Sequence, residues 1–177
     1  MIRLERLGDR NLHLHPRAMS LYESAFPREE RRDEDEQSRV LSKEEYHFDM
    51  ILDGEELLGI MLYWKTEDFI FLEHFAVLPE ARGRGIGATA LELLKAEGNT
   101  VILEIEVPSD EITRRRLAFY RRCGFVLTEH YHIQAKYRLG DDDLVLKILS
   151  YPHGIDGDEY RRFYDYMCRE IGVQGYE

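Results

Sequence analysis

FIFLEHFAVLPEARGRGIGATALELLKAE, residues 69–97, is the stretch that decides the fold of this 177-residue chain. Its first part is rich in Phe, Ile, Leu and Val, which favours a buried β-strand that ends at Pro79. Its last part repeats leucines at helical spacing, at Leu91 and Leu94, which predicts an amphipathic helix. A glycine-rich turn with two arginines joins the strand to the helix.

The turn has the composition of an anion-binding site. Gly83, Gly85 and Gly87 have no Cβ, so the backbone can adopt unusual dihedral angles and a ligand can approach it closely. The helix that follows offers unpaired N–H groups and the positive end of its dipole. Arg82 and Arg84 add positive charge on the same turn. Together these features favour a phosphate or pyrophosphate as the ligand.

The same glycines allow a second interpretation. Gly83-x-Gly85-x-x-Ala88 also fits the dinucleotide-binding fingerprint, with Glu104 near the position of an acidic ribose ligand. However, residues 78–82 separate these glycines from the predicted strand, whereas the fingerprint follows its strand directly. Too few residues remain for the other strand–helix units of a doubly wound domain. A nucleotide-dependent oxidoreductase is therefore the weaker alternative.

Several segments resemble the GNAT family of acyltransferases, which use acetyl-CoA. Residues 82–87, RGRGIG, are similar to the family's Gln/Arg-x-x-Gly-x-Gly/Ala signature, and residues 73–77, EHFAV, resemble its fourth strand. Residues 119–125, FYRRCGF, resemble its Phe-Tyr-x-x-x-Gly-Phe element. The chain departs from the family pattern at Thr113 and Arg116, where the family often has Asn and Ala.

The resemblance implies an α+β fold in a single domain over residues 1–177. A central, twisted, mostly antiparallel sheet would contain one parallel pair, the splayed fourth and fifth strands, and helices would flank the sheet. The last helix, at residues 156–171, is expected only to pack. The apolar patterns predict strands at 2–7, 46–52, 57–65, 69–77, 100–107, 125–134 and 144–149, and helices at 11–26, 88–97, 111–122 and 156–171.

The resemblance also implies a cofactor site for acetyl-CoA, with CoA as the product. In the family the pyrophosphate lies on the turn and the helix N-terminus, and the pantetheine arm pairs with the backbone of the fourth strand. A backbone N–H near Phe75 would polarise the thioester carbonyl. The implied cofactor contacts are Phe75, Ala76, Val77, Arg82, Gly83, Arg84, Gly85, Ile86, Gly87, Ala88 and Tyr120.

The implied reaction is the direct attack of a primary amine on the thioester. It requires a base for the amine and an acid for the leaving thiolate. Tyr120 occupies the position of the family's tyrosine, and a phenol can protonate a thiolate; the alternative is a packing role. The candidate bases are Glu73, then Glu104, with Glu106 on the same strand face as Glu104. Water acting in place of a base is the alternative.

A charged run and a histidine pair complete the candidate features. Residues 27–36, PREERRDEDE, are typical of a solvated loop and helix face. In the family the segment after the first helix often borders the acceptor, so residues 26–32 are the best candidate for one wall of that pocket. His130 and His132 share a strand face, but two ligands do not make a metal site, so no metal is expected.

Composition limits the partners and the location. The formal net charge is −11 and the pI about 5.1, so a nucleic-acid partner is not expected. Cys123 and Cys168 form neither a disulfide framework nor a metal-ligand spacing. No apolar run has the length of a signal peptide or a membrane span. A cytoplasmic protein, monomeric or homodimeric and without a membrane partner, is therefore expected.

The sequence leaves two questions open. The acceptor could be a small amine, a polyamine, an antibiotic or a protein terminus, because no residue pattern distinguishes these amines. The departures at Thr113 and Arg116 also keep a non-catalytic module of the same fold, one that binds acyl-CoA without turnover, as the main alternative to an enzyme.

Overall fold

The structure is a computed structural model in which residues 1–172 are described. These residues form two compact units, the first from Met1 to Asn99 and the second from Thr100 onward. The fold class is α+β, as predicted, with seven strands and five α-helices in the described part of the chain. Most element boundaries lie within two or three residues of the predicted ones.

The first unit contains four strands that pair antiparallel in chain order. The strands are β1 (Ile2–Arg6), β2 (Tyr46–Asp53), β3 (Glu56–Lys65) and β4 (Phe69–Val77), and the helices are α1 (His15–Ala25), α2 (Glu34–Leu41) and α3 (Ile86–Lys95). Short 3-10 turns occupy Leu12–Leu14, Arg28–Glu30 and Pro79–Ala81. α1 packs against β3 and β4, α2 against β2, and α3 against β1. β3 is buried from Leu57 to Trp64, as expected of a strand covered on both faces.

The charged run at residues 27–36 is only partly solvated. It includes the start of α2, whose N-cap Asp33 accepts a hydrogen bond from the Glu36 N–H at 3.0 Å. The acidic first turn of α2 also favours the helix dipole. Arg32, directly before the N-cap, is buried with 4% exposure, so the prediction of a wholly solvated run is wrong at this residue.

The second unit contains the remaining elements. They are β5 (Thr100–Glu106), α4 (Glu111–Arg122), β6 (Val126–Ile133), β7 (Val145–Tyr151) and α5 (Gly157–Glu170). β7 pairs antiparallel with both β5 and β6. Asp110 and Asp156 begin the two helices with capping boxes, which satisfy N–H groups that a helix start leaves unpaired. Cys123 is buried and Cys168 half-buried, and neither forms a disulfide.

β6 contains a bulge that the sequence pattern does not reveal. Thr128 pairs with Ile148 and His132 with Leu146, so four residues of β6 match two of β7. The extra length lies in residues 129–131. Bulges re-aim side chains and often occur beside active sites. None of the helices in residues 1–172 is long and apolar enough to cross a lipid bilayer.

Candidate active site

The glycine-rich turn before α3 has the geometry of an anion-binding site. Gly83 and Gly85 adopt positive φ angles of 76° and 73°, a region that strains residues with a Cβ. Gly85 is the N-cap of α3, which has no side-chain cap and no acidic residue in its first turn. The N-terminal N–H groups and the dipole of α3 therefore favour an anion at this point.

The side chains of the turn also favour the binding of an anion. Residues 82–85 are exposed, whereas Ile86 is buried with 4% exposure and anchors the start of α3 in the core. The Arg82 Nε donates a hydrogen bond to the Val77 carbonyl at 3.2 Å, which holds this guanidinium beside the end of β4. Gly87 and Ala88 are half-buried. The turn thus presents backbone and cationic groups outward from a fixed base.

The end of β4 leads directly into this turn. Phe75, Ala76 and Val77 are half-buried and pair with residues 59–61 of β3. A Cβ at Gly59 would lie 2.5 Å from the Ala76 carbonyl oxygen, so the backbones approach here as only glycine allows. This close contact fixes the stretch of β4 to which the resemblance assigns the pantetheine arm.

Glu73 lies at a bulge in β4. Leu62 of β3 pairs with His74, and the next residue of β3, Tyr63, pairs with Leu72, so the register shifts at Glu73. The bulge interrupts the alternation of the strand, and the Glu73 side chain is only 2% exposed. The Glu73 side chain is therefore buried and not presented to solvent.

The Glu73 carboxylate is held by Arg32 and Trp64. The Arg32 guanidinium contacts its two oxygens at 2.7 and 3.0 Å, and the Trp64 Nε1–H donates to it at 2.9 Å. The guanidinium lies over the rings of Tyr46 and Trp64, 5.4 and 5.7 Å from their centroids. Protonating Glu73 would leave the Arg32 charge buried without its counter-ion. This environment opposes the predicted role of Glu73 as a base.

The same cluster fixes the segment predicted to form one acceptor wall. The Tyr22 hydroxyl oxygen accepts a hydrogen bond from the Arg32 backbone N–H at 3.0 Å, and the His74 Nε2 lies 2.6 Å from the Glu30 carbonyl oxygen. The ring of Phe26 packs edge-on against His74, 4.7 Å between centroids. Burial lowers the pKa of His74 and raises that of Tyr22 to about 12. Residues 26–32 are thereby anchored on α1 and β4.

Tyr120 lies on α4 in an aromatic environment. It is 9% exposed, and its ring packs edge-on against Phe119 and Phe125 at centroid distances of 5.2 and 5.7 Å. Burial raises the pKa of Tyr120 well above the ordinary tyrosine value. The phenol therefore keeps its proton at neutral pH, and the raised pKa makes it a weaker acid than an ordinary tyrosine. The packing also agrees with the alternative, structural role.

Thr113 and Arg116, which depart from the family pattern, both lie on α4 and make local contacts there. The Thr113 N–H donates to the Asp110 carboxylate at 2.8 Å, and the Thr113 hydroxyl oxygen accepts from the Asp110 backbone N–H at 3.1 Å. Arg116 forms an ion pair with Glu106, and both side chains are exposed. Thr113 is thus part of the helix cap, and Glu106 already has a cationic partner.

Glu104, the second candidate base, has a different environment. Its carboxylate lies 2.6 Å from the His132 Nε2, and its side chain is 15% exposed. The His132 Nδ1 lies 2.8 Å from the Tyr160 hydroxyl oxygen. Sequence reasoning identified the face shared by Glu104 and Glu106 and the histidines of β6, but it did not bring them together. In residues 1–172 no three His, Cys, Asp or Glu side chains are grouped as metal ligands would be.

Comparison with known proteins identifies the family. A family model described as the Acetyltransferase (GNAT) family matches residues 12–125. A 69-residue stretch is 36% identical to YjbC of Bacillus subtilis (strain 168), which is provisionally named an acetyltransferase. That stretch is 37% of this chain and spans only about a third, 35%, of the length of that relative.

Solved structures show a similarity in fold that covers most of this chain. A protein of Bacteroides thetaiotaomicron, provisionally assigned to the GNAT acetyltransferases, is 27% identical with a TM-score of 0.88, covering 97% of this chain and 99% of its own. The ribosomal-protein-S18-alanine N-acetyltransferase of Escherichia coli is 20% identical, with a TM-score of 0.60 and coverage of 89% and 97%. It shares the fold.

These matches agree with the resemblance seen in residues 82–87 and remove the dinucleotide-binding interpretation. Two further relatives of the same fold, 19% and 17% identical, were solved with coenzyme A. The fold, the anion-binding turn and the family match lead to one conclusion: the chain belongs to the GNAT acetyltransferase family, whose members use acetyl-CoA.

Proposed function

We propose that this chain is an acetyl-CoA-dependent N-acetyltransferase that moves the acetyl group to a primary amine by direct attack. The observation that carries the proposal is the uncapped N-terminus of α3 behind two glycines with positive φ. That arrangement suits a pyrophosphate, and it lies in the segment that carries the family signature. The fit supports acetyl-CoA as the acetyl donor.

The turn and the end of β4 would hold acetyl-CoA. The backbone N–H groups of residues 85–88 and the guanidinium groups of Arg82 and Arg84 would bind the pyrophosphate, with Gly83 and Ile86 shaping the turn. The backbone of residues 75–77 would pair with the pantetheine arm, and an N–H near Phe75 would polarise the thioester carbonyl. Each assignment follows from the resemblance and agrees with the exposure and backbone geometry of these residues.

Tyr120 is the proposed general acid, and Glu104 replaces Glu73 as the proposed base. The buried phenol of Tyr120 stays protonated and can give its proton to the leaving thiolate. Glu73 is buried under its ion pair with Arg32, whereas the carboxylate of Glu104 remains partly exposed. A base must reach the ammonium group of the acceptor, and exposure favours Glu104.

The acceptor class is a primary amine on a small molecule or peptide. The E. coli relative of the same fold is named for the alanine of a ribosomal protein, which supports an amine acceptor without fixing its size. The net charge of −11 favours the approach of cationic amines. The cytoplasmic location, the lack of a nucleic-acid or membrane partner, the monomeric or homodimeric state and the single domain stay predictions from the sequence.

Two measurements test this function. Titration calorimetry with acetyl-CoA, CoA and NAD should show binding of the first two ligands. Release of free thiol from acetyl-CoA should then be followed with alkylamines, polyamines, aminoglycosides and peptides with a free N-terminus. Thiol release that depends on one amine class supports the proposal. Tight binding of acetyl-CoA with no amine-dependent thiol release would instead support the non-catalytic acyl-CoA-binding module.

A further inference from the structure

A chain of hydrogen bonds in the second unit links three of its elements. Glu104 on β5 contacts the His132 Nε2 on β6 at 2.6 Å, and the His132 Nδ1 contacts the Tyr160 hydroxyl on α5 at 2.8 Å. We propose that Glu104, His132 and Tyr160 form a proton relay that takes the proton from the attacking amine. This inference rests on the proposed function and deepens it, because it assigns the base and its supporting residues.

The bulge in β6 builds the relay around Tyr160. Three consecutive residues of β6 contact this side chain. The His130 ring stacks on the Tyr160 ring, 4.5 Å between centroids and 7° between planes. The Tyr160 hydroxyl lies 3.3 Å from the Tyr131 carbonyl oxygen, and His132 contacts the same hydroxyl. His130 and His132 are two residues apart and share a strand face, and the Tyr131 carbonyl, which lies in the bulge, reaches the same hydroxyl.

Within the relay, His132 is shielded from solvent, whereas Glu104 is partly exposed. His132 is 2% exposed, so its ring nitrogens are served by Glu104 and Tyr160 rather than by bulk water. Glu104 keeps 15% exposure and is bonded to His132 through one carboxylate oxygen, Oε2. The buried His132 ring thus makes both of its hydrogen bonds within the protein. Glu104 is therefore the member that can meet an acceptor, and His132 and Tyr160 act through it as positioning residues.

The hydrogen bonds of the relay allow it to hold one additional proton. With neutral His132, the Nε2–H donates to Glu104 and the Nδ1 accepts from the Tyr160 hydroxyl. When Glu104 takes the proton from the amine on its other oxygen, Oε1, the His132 Nε2–H still donates to Oε2 and the Nδ1 still accepts from the Tyr160 hydroxyl. The hydrogen bonds that hold the carboxylate in place are therefore the same in both states. Burial raises the pKa of Tyr160 to about 12, so it remains a phenol throughout.

The proton balance of the reaction fits this arrangement. The acceptor ammonium gives one proton to the relay, and the freed lone pair attacks the carbonyl carbon. The C–N bond forms, and the C–S bond breaks as Tyr120 protonates the leaving sulfur. The second proton on the acetylated nitrogen restores Tyr120. The relay then returns its proton to solvent, so the products are the amide, the thiol of CoA and one released proton.

The other titratable groups against the relay are few in the described part of the chain. Tyr164 of α5 packs edge-on against His132, 5.8 Å between ring centroids, and Cys168 lies within electrostatic range of Glu104. Burial raises the pKa of the Cys168 thiol, so that group is neutral at neutral pH. β7 contributes apolar side chains, Leu146 and Ile148, at the register positions opposite His132 and Glu104.

The test compares His132→Gln with a control, His153→Gln. His153 lies in the same unit, between β7 and α5, and its Nε2 contacts the Glu159 carboxylate at 3.1 Å and not Glu104. Thiol release is measured in a single turnover with ethylamine and with 2,2,2-trifluoroethylamine. The two amines are similar in size, but the fluorinated amine is a much weaker base and is largely neutral at neutral pH.

The relay predicts a loss that depends on the basicity of the amine. His132→Gln should slow the reaction of ethylamine about a hundredfold at neutral pH, and the rate should recover as rising pH deprotonates the amine. The loss with trifluoroethylamine should be less than about tenfold, because that amine needs no base. Glu104→Gln should behave as His132→Gln. Tyr160→Phe should also slow ethylamine more than trifluoroethylamine, but by a smaller factor. His153→Gln should follow the wild type with both amines.

The outcomes separate this inference from the proposed function. Equal losses with the two amines, or wild-type rates in His132→Gln, would overturn the relay while leaving the acetyltransferase assignment intact. If His132→Gln does not fold, Tyr160→Phe decides the same question, since it keeps the ring on α5 and removes only the hydroxyl. A wild-type protein that releases no thiol with ethylamine or any amine of the wider panel would overturn the proposed function, and the relay with it.

Discussion

The most informative single residue is Glu73, because its buried environment disfavours the role of base that the resemblance implies. The sequence places a carboxylate on β4 just before the implied cofactor contact, and spacing alone favours a base there. The partner that changes this role, Arg32, lies 41 positions earlier in a charged run that is typical of solvent exposure. No local pattern relates the two residues, and only the fold brings them together.

Breaking this pair should destabilise the protein strongly. Arg32→Met leaves the Glu73 carboxylate buried with no counter-ion, so the free energy of unfolding in urea should fall by about 3–5 kcal/mol. The double variant Arg32→Met/Glu73→Gln should regain part of the loss. Arg39→Met is the control, because its ion pair with Glu36 is exposed and should contribute at most about 1 kcal/mol. Similar effects of Arg32→Met and Arg39→Met would contradict the structural role of the buried pair.

Tyr120 offers a second test at the scale of one residue. Tyr120→Phe keeps the packed ring but removes the hydroxyl, so single-turnover thiol release should fall about a hundredfold or more if the phenol is the acid. Acetyl-CoA affinity should change little. The packing alternative predicts that Phe is nearly neutral at this position. A near-normal single-turnover rate in a Phe variant saturated with acetyl-CoA would exclude the acid role.

At the scale of the elements, sequence reasoning performs well where the signals are local. α4 was predicted at residues 111–122 and is found there, because Asp110 caps its start and Gly124, with a φ of 88°, follows its end. The bulges in β4 and β6 could not be predicted in this way. A bulge is a property of the register between two strands, and register depends on a partner that the local sequence does not name.

The close approach of β3 to β4 should be sensitive to one methyl group. Gly59→Ala puts a Cβ 2.5 Å from the Ala76 carbonyl oxygen, so the strands must separate. Stability should fall by about 1–3 kcal/mol, and acetyl-CoA affinity should fall with it because the end of β4 moves. Gly157→Ala is the matched control, since no atom lies within 4 Å of the added Cβ. Unchanged affinity in a folded Gly59→Ala protein would argue against cofactor binding along this strand.

At the scale of the whole molecule, two groups with opposite titration behaviour shape the pH dependence of stability. Burial raises the pKa of Asp49 to about 6, so its contribution to stability is fully present below its unfolded pKa and is lost as pH rises through 6. Burial lowers the pKa of His47 to about 4, so its contribution is present above its unfolded pKa and is lost as pH falls toward 4. As pH rises, Asp49 therefore lowers the free energy of unfolding, whereas His47 raises it.

Substituting each residue on its own should reveal its contribution to the pH dependence of stability. Asp49→Asn removes the loss caused by ionised Asp49, so its stability relative to the wild type should improve by about 2–3 kcal/mol between pH 4 and 7. Its amide oxygen can still accept the Tyr63 hydroxyl, which donates to Asp49 at 2.9 Å. The effect of His47→Gln should have the opposite sign: the variant should lose stability relative to the wild type as pH rises from about 4 to 6.5. Urea unfolding across this range measures both, and parallel curves for wild type and Asp49→Asn would contradict the assignment.

The central claim, that the turn before α3 binds the pyrophosphate of acetyl-CoA, is tested most directly by calorimetric titration of acetyl-CoA into Gly85→Glu. The variant places a carboxylate where the anion must approach, and a Glu at a helix N-terminus does not oppose the dipole, so the fold should survive. Gly98→Glu is the control, because Gly98 also has a positive φ, 87°, and follows the other end of α3. Binding should be lost in Gly85→Glu and retained in Gly98→Glu. Wild-type affinity in a folded Gly85→Glu protein would contradict the claim.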